Sequence, residues 1–176
     1  MLYRSTKPIK LNFNNSTLKT NSIINNKYMS SFLRTNLIVA VDSAWGISRK
    51  NAIPWSIKED SNFFQDVTKR QYEKDKVNAV IMGKNTWKAL PDTFRGLKDR
   101  INIVVSGSMT TEELNFDNIT KTESYVVKSL DEGMELCNGM QTKLGKIFIG
   151  GGSSIYRQAL EKYQIDEIYL TQIKDN

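Results

Sequence analysis

The sequence predicts an α/β fold: a single, mostly parallel, twisted β-sheet flanked by helices on both faces. Three observations carry this. Short Val- and Ile-rich runs alternate with stretches of helical spacing. The runs are apolar at successive residues, as in strands covered on both faces. And 176 residues, 39% hydrophobic and 25% charged, suit one domain with a sizeable core.

The elements follow in order. "LIVAVD" (37–42) reads as the first strand. Residues 57–71 have helical spacing, with Ser56 a candidate N-cap and Glu59 at capping-box distance. "VNAVIM" (77–82) is a strand, and 84–90 a short helix. "INIVVS" (101–106) and "SYVV" (124–127) are strands, and "LDEGMELC" (130–137) is a helix. "KIFIG" (146–150) is a strand, 153–161 a helix and "EIYLTQI" (167–173) the last strand. Residues 37–176 therefore form the domain. Residues 1–36, rich in Asn, Ser and Thr and without sustained period, read as a disordered basic extension.

Charge and composition exclude several functions. The extension holds six of the 25 basic residues and no acid, so the remainder balances at 19 against 19. A basic excess confined to a tail does not argue for a nucleic-acid-binding domain. No run approaches the roughly 18 apolar residues of a membrane span. One cysteine, Cys137, allows no internal disulfide and suits a reducing compartment. The absence of histidine removes Ser-His and Cys-His nucleophilic machinery, and no metal site is expected. The expected location is cytoplasmic. Residues 1–36 also carry the hydroxyl-rich, acid-free pattern of a mitochondrial targeting segment.

Four stretches could carry chemistry. In "NAIPWSIKEDSNFF" (51–64), Ile57, Asp60, Phe63, Phe64 and Val67 share one helical face. Asp60 is thus an acid on an apolar stripe. It either sits at the stripe's edge, favoured by the helix dipole, or holds a polar ligand in an aromatic pocket. "VIMGKNTW" (80–87) places Lys84 and Thr86 at a helix start, which suits a phosphate or only a turn. "IFIGGGSSIY" (147–156) has three glycines between strand and helix, more than a tight turn needs. Arg100, before an apolar strand, says little alone.

Together these stretches resemble dihydrofolate reductase over about residues 37–173. "IVAVDSAWGI", "IPW", an Asp five residues past Trp55, "VIMGKNTW", "RINIVVS", "IGGGSSIY" and "IYLTQI" stand in the family's order and spacing. The resemblance implies NADPH-dependent reduction of 7,8-dihydrofolate to tetrahydrofolate. It implies that Asp60 is the acid that binds the pterin and assists protonation of N5. Thr171 would hydrogen-bond this acid, and Trp55 would hold a water beside it. Phe64 would flank the p-aminobenzoyl ring and Arg100 would pair with the glutamate carboxylate. Ala40 and Ile149 would border the pterin. For NADPH it implies Ala40, Ile47, Gly46, Lys84, Thr86, Ser106, Gly150, Gly151, Gly152, Ser153 and Tyr156, with a cis bond at Gly150–Gly151. Residues 46–53 would form a mobile loop over the site.

Three departures stand against the pattern. Ser61 replaces a large apolar pterin contact. Gly107 replaces a basic or hydroxyl residue for the 2′-phosphate, which weakens the preference for NADPH over NADH. And the family's last pair of strands is expected to be lacking, leaving the strand of Thr171 an open edge. The chain then reads as a C-terminally incomplete domain, or as the reductase part of a fusion with thymidylate synthase. Competing readings are a non-catalytic fragment, a pterin or riboflavin-pathway reductase, and RNA binding through the tail.

Overall fold

A computed structural model describes residues 3–4, 33–50, 52–91, 95–114 and 122–173. The strands are β1 (Tyr3–Arg4), β2 (Arg34–Val41), β3 (Val77–Gly83), β4 (Arg100–Val105), β5 (Ser124–Val127), β6 (Leu144–Gly151) and β7 (Glu167–Gln172). The helices are α1 (Lys58–Lys69), α2 (Lys84–Ala89), α3 (Leu130–Gly139) and α4 (Ser153–Lys162). All seven strands form one sheet in the order β1-β7-β2-β6-β3-β4-β5. Strands β2 to β7 pair in parallel, and β1 alone runs antiparallel.

Strand pleating sends alternate side chains to opposite faces, and both faces are covered. On one face Ala79 and Ile81 of β3 meet Ile147 and Ile149 of β6 under α3 and α4. On the other, Val80 and Met82 meet Phe148 under α1 and α2, joined by Val67 and Trp87. This is why the runs read as continuously apolar.

The chain passes from β2 over the later position of β6 to β3, β4 and β5. It then returns to place β6 between β2 and β3, and β7 on the far side of β2. Such a reversal leaves a crevice at the carboxyl ends of the central strands, where open α/β sheets take ligands.

Three details differ from the sequence reading. Strand β2 starts at Arg34, within the expected extension, because its backbone already pairs with Lys146 of β6. Helix α1 begins at Lys58 with Ile57 as N-cap, and no side-chain cap bond forms, so the Ser56–Glu59 box is not what starts it. The strand of Thr171 is not left an open edge at that position: Tyr3 lies opposite Gln172, and Arg4 opposite Thr171. The rest of the extension before residue 33 lies outside the described residues. Among the described residues, no helix is long and apolar enough to cross a membrane.

Candidate active site

A cleft of about 620 Å³ opens at the carboxyl ends of β2, β3, β4, β6 and β7. Its floor is sheet backbone, from Ala40 on β2, Gly150 on β6 and Thr171 on β7. Helix α1 walls one side with Asp60, Phe63 and Phe64, and the starts of α2 and α4 wall the other. Among the described lining residues, Asp60 is the one carboxylate and Lys84 the one side-chain cation.

Asp60 takes its place from the stripe. Val67 is buried, and Ile57, Phe63 and Phe64 are half-buried, so their burial turns the same face inward and Asp60 with it. The Trp55 indole donates from Nε1 to Asp60 Oδ2 at 3.4 Å, a long direct contact. Thr171, on the β7 part of the floor, is 3% exposed. Tyr156 donates from its hydroxyl to the Ile38 carbonyl at 2.7 Å. Burial first, and then the charge of Asp60, push the Tyr156 phenol well above its ordinary pKa. It therefore stays a neutral donor.

The cationic side is built by two turns that pack closely. A Cβ at Gly152 would sit 3.3 Å from Thr86 Oγ1, and one at Gly83 would sit 3.4 Å from Ile155 Cγ1. Gly151 has φ +103°, and a Cβ there would lie 2.9 Å from three atoms of the Tyr156 ring end. That close approach needs glycine. The cis bond is Gly151–Gly152, one residue later than expected, because Gly150 and Gly151 still belong to β6. Lys84 donates to Ser108 Oγ at 2.7 Å, and Ser106 Oγ accepts from the N–H groups of Ser108 and Met109. Gly107 faces open space.

Arg100 proves more informative than its sequence setting. It is 4% exposed at the start of β4. Nε donates to the Lys98 carbonyl at 2.9 Å, Nη1 to Thr68 Oγ1 at 2.7 Å and Nη2 to Gln65 Oε1 at 2.7 Å. All three acceptors are neutral. Two of the five guanidinium N–H groups therefore have no partner among the described residues. Burial, opposed by the charge of Asp99, pulls the pKa down to about 10, so the group is a cation at neutral pH.

The cleft thus brings together Ala40, Ile47, Trp55, Asp60, Phe64, Lys84, Thr86, Ser106, Gly150, Gly152, Ser153, Tyr156 and Thr171. Four candidates stand outside its lining. Ile149 is fully buried in the core, and Gly151 and Arg100 are also buried. Gly46 closes a turn in which Asp42 Oδ1 accepts from Ala44 and Gly46. Of the expected mobile loop, Ile47, Ser48, Ala52 and Ile53 face the cleft, and Arg49 and Ala52 exchange backbone bonds. Sequence reasoning missed Gln65 and Thr68 as partners of Arg100. Their signal is faint: they lie one and four residues beyond Phe64 on α1, on the side that reaches Arg100 of β4.

Known proteins place this architecture. The family model for dihydrofolate reductase matches residues 34–176. A dihydrofolate reductase of Heliothis virescens is 36% identical over 144 residues, covering 82% of this chain and 75% of that protein. A bifunctional dihydrofolate reductase-thymidylate synthase of Arabidopsis thaliana is 32% identical over 160 residues, 90% of this chain and 27% of that longer protein. The solved dihydrofolate reductase of Schistosoma mansoni superposes with a TM-score of 0.68 at 36% identity, covering 82% of this chain and 75% of that one. With a family model spanning most of the domain and relatives of this similarity, the chain belongs to the dihydrofolate reductase family, and is an oxidoreductase of the kind that works with a nicotinamide cofactor.

Proposed function

We propose that this protein reduces 7,8-dihydrofolate to 5,6,7,8-tetrahydrofolate with NADPH. The observation that carries the reading is the division of charge in the cleft, with Asp60 on the α1 wall and Lys84 on the opposite side. A pterin offers adjacent ring N–H and amino donors, which suit a carboxylate held beside apolar rings. Asp60 binds these donors and assists the arrival of a proton at N5 by way of water. Trp55 and Thr171 orient Asp60, and Phe64 packs on the p-aminobenzoyl ring. Ala40 and Ile149 border the pterin position.

Arg100 completes the substrate side. A buried cation with only neutral partners is costly, and a ligand carboxylate meeting its two remaining N–H groups offsets that cost. The glutamate tail of dihydrofolate supplies such a group.

The residues on the other side fit a dinucleotide. Gly151 and Gly152 lie where a Cβ would fill the space beside Tyr156 and Thr86. Lys84 brings positive charge, and Thr86, Ser106 and Ser153 bring hydroxyls for phosphates. Ile47 and Gly46 approach from the loop. Bound NADPH supplies the hydride that reaches C6. Lys84 supports NADPH over NADH, and Gly107 offers no side chain to strengthen that preference. An association with thymidylate synthase, as a fusion or a partner, is supported by the bifunctional relatives. A cytoplasmic site is supported by the free, buried Cys137.

Steady-state oxidation of NADPH tests the reading. Oxidation that depends on added dihydrofolate supports it. Oxidation that is absent, or that responds instead to a riboflavin-pathway pyrimidine, sinks it.

A further inference from the structure

The strand that carries Thr171 is held unequally. On one side β7 pairs with β2 over six positions, Glu167 to Gln172. On the other, the pairing among the described residues is at Thr171 and Gln172, with Arg4 and Tyr3. Ile173 donates its N–H to the Val41 carbonyl at 2.8 Å, so its backbone faces β2. Strand alternation then turns the N–H and C=O of Gln172 the other way, toward Tyr3. The short β1 therefore grips β7 at the end that reaches the cleft, and strand ends open more readily than their middles.

We infer that β1 is a positioning element of the site: Tyr3 and Arg4 hold the outer edge of β7 through Gln172, and so fix Thr171 at the substrate wall. The inference rests on the reading of Thr171 as a substrate-side residue. A strand bonded on one side only opens more readily than one bonded on both. Thr171 is the penultimate residue of such a strand and lines the cleft, so small openings there displace its side chain within the site. The cofactor wall rests on β3, β4 and β6, three to five strands from β1 in the sheet, and should not sense its loss.

The test compares the full chain with Tyr3→Pro and with a chain started at Met29. Proline has no N–H to give to the Gln172 carbonyl. Three quantities are read: amide exchange at Gln172, the dissociation constant of dihydrofolate, and that of NADPH. In Tyr3→Pro the Gln172 amide is expected to exchange about ten-fold faster. Dihydrofolate affinity is expected to weaken several-fold while NADPH affinity stays unchanged, and the Met29 start should repeat the pattern. Unchanged Gln172 exchange in both variants overturns the inference. So does faster exchange with unchanged dihydrofolate affinity, or an equal loss for both ligands. A parent chain that binds no dihydrofolate overturns the substrate reading itself. That failure is recognisable because Gln172 exchange still responds to Tyr3→Pro.

Discussion

Replacing Arg100 with Met should separate binding from stability. In the free protein Arg100 is 4% exposed and its guanidinium meets three neutral acceptors. Exchanging buried ionic groups for well-packed apolar side chains of similar volume is often neutral or stabilising, because their desolvation cost is removed with them. The groups left behind tolerate the change. Thr68 Oγ1 still donates to the Phe64 carbonyl at 2.7 Å, and Gln65 is only half-buried. The melting temperature should therefore move by less than about 4 °C, the equivalent of roughly 1 kcal/mol in a domain of this size. Substrate binding should suffer far more. Hydrogen bonds to a charged group contribute about 1.5–3 kcal/mol, so dihydrofolate affinity should fall about 10- to 150-fold. A dihydropterin without the benzoyl-glutamate tail, and so without any carboxylate, should bind wild type and Arg100→Met alike. Arg100→Lys should recover little, since an ammonium cannot make the two-pronged contact. Titration of tryptophan fluorescence with both ligands, beside a thermal melt, is the assay. Unchanged dihydrofolate affinity, or equal losses for the two ligands, refutes the carboxylate role. A melting temperature lowered by ten degrees or so would refute the account of Arg100 as an unrewarded buried cation.

Three further predictions concern the frame. Gly151→Ala places a methyl 2.9 Å from the Tyr156 ring at φ +103°, so it should cost about 2 kcal/mol or more and weaken NADPH binding, read by melting and titration. Lys146→Met removes the cation 3.0 Å from Glu167, in a pair whose side chains are 7% and 13% exposed. The carboxylate keeps the Tyr169 hydroxyl, yet denaturant melts should show a loss of about 3 kcal/mol, partly recovered by adding Glu167→Gln. Asp131 is held below the usual carboxylate range by Lys162 and then Tyr163. A depressed carboxylate pKa stabilises above the unfolded value, and the gain is lost as pH falls through the folded value. The melting gap between wild type and Asp131→Asn, at most about 1 kcal/mol for this part-exposed pair, should be present at neutral pH and close in acid.

Much of this frame was legible because apolar runs report their own surroundings. Residues 79–82 and 147–149 are apolar at every position since both faces of β3 and β6 are covered. The stripe through Phe63, Phe64 and Val67 oriented Asp60 by the same logic. What stayed hidden depends on backbone or on distant partners. Strand β1 pairs through main-chain atoms, so Tyr3 and Arg4 carry no periodic signal inside a polar stretch. Three successive glycines are alike in sequence, and only the length of β6 decides which one turns. Lys146 reads only as the first residue of a strand, yet it lies 4.0 Å from the Tyr72 ring centre and beside Glu167, contacts made across sheet and loop. The grip of Thr68 and Gln65 on Arg100 joins residues more than thirty positions apart, which no local pattern announces.

The central claim is that the carboxylate of Asp60 drives reduction of dihydrofolate. The most direct measurement is single-turnover hydride transfer from NADPH to dihydrofolate in wild type and Asp60→Asn, at neutral pH, with NADPH affinity measured alongside. A positioned acid contributes about 10²- to 10⁴-fold. The account predicts a fall of at least about 100-fold in the Asn variant with unchanged NADPH affinity. A variant that retains more than about a tenth of the wild-type rate would contradict it.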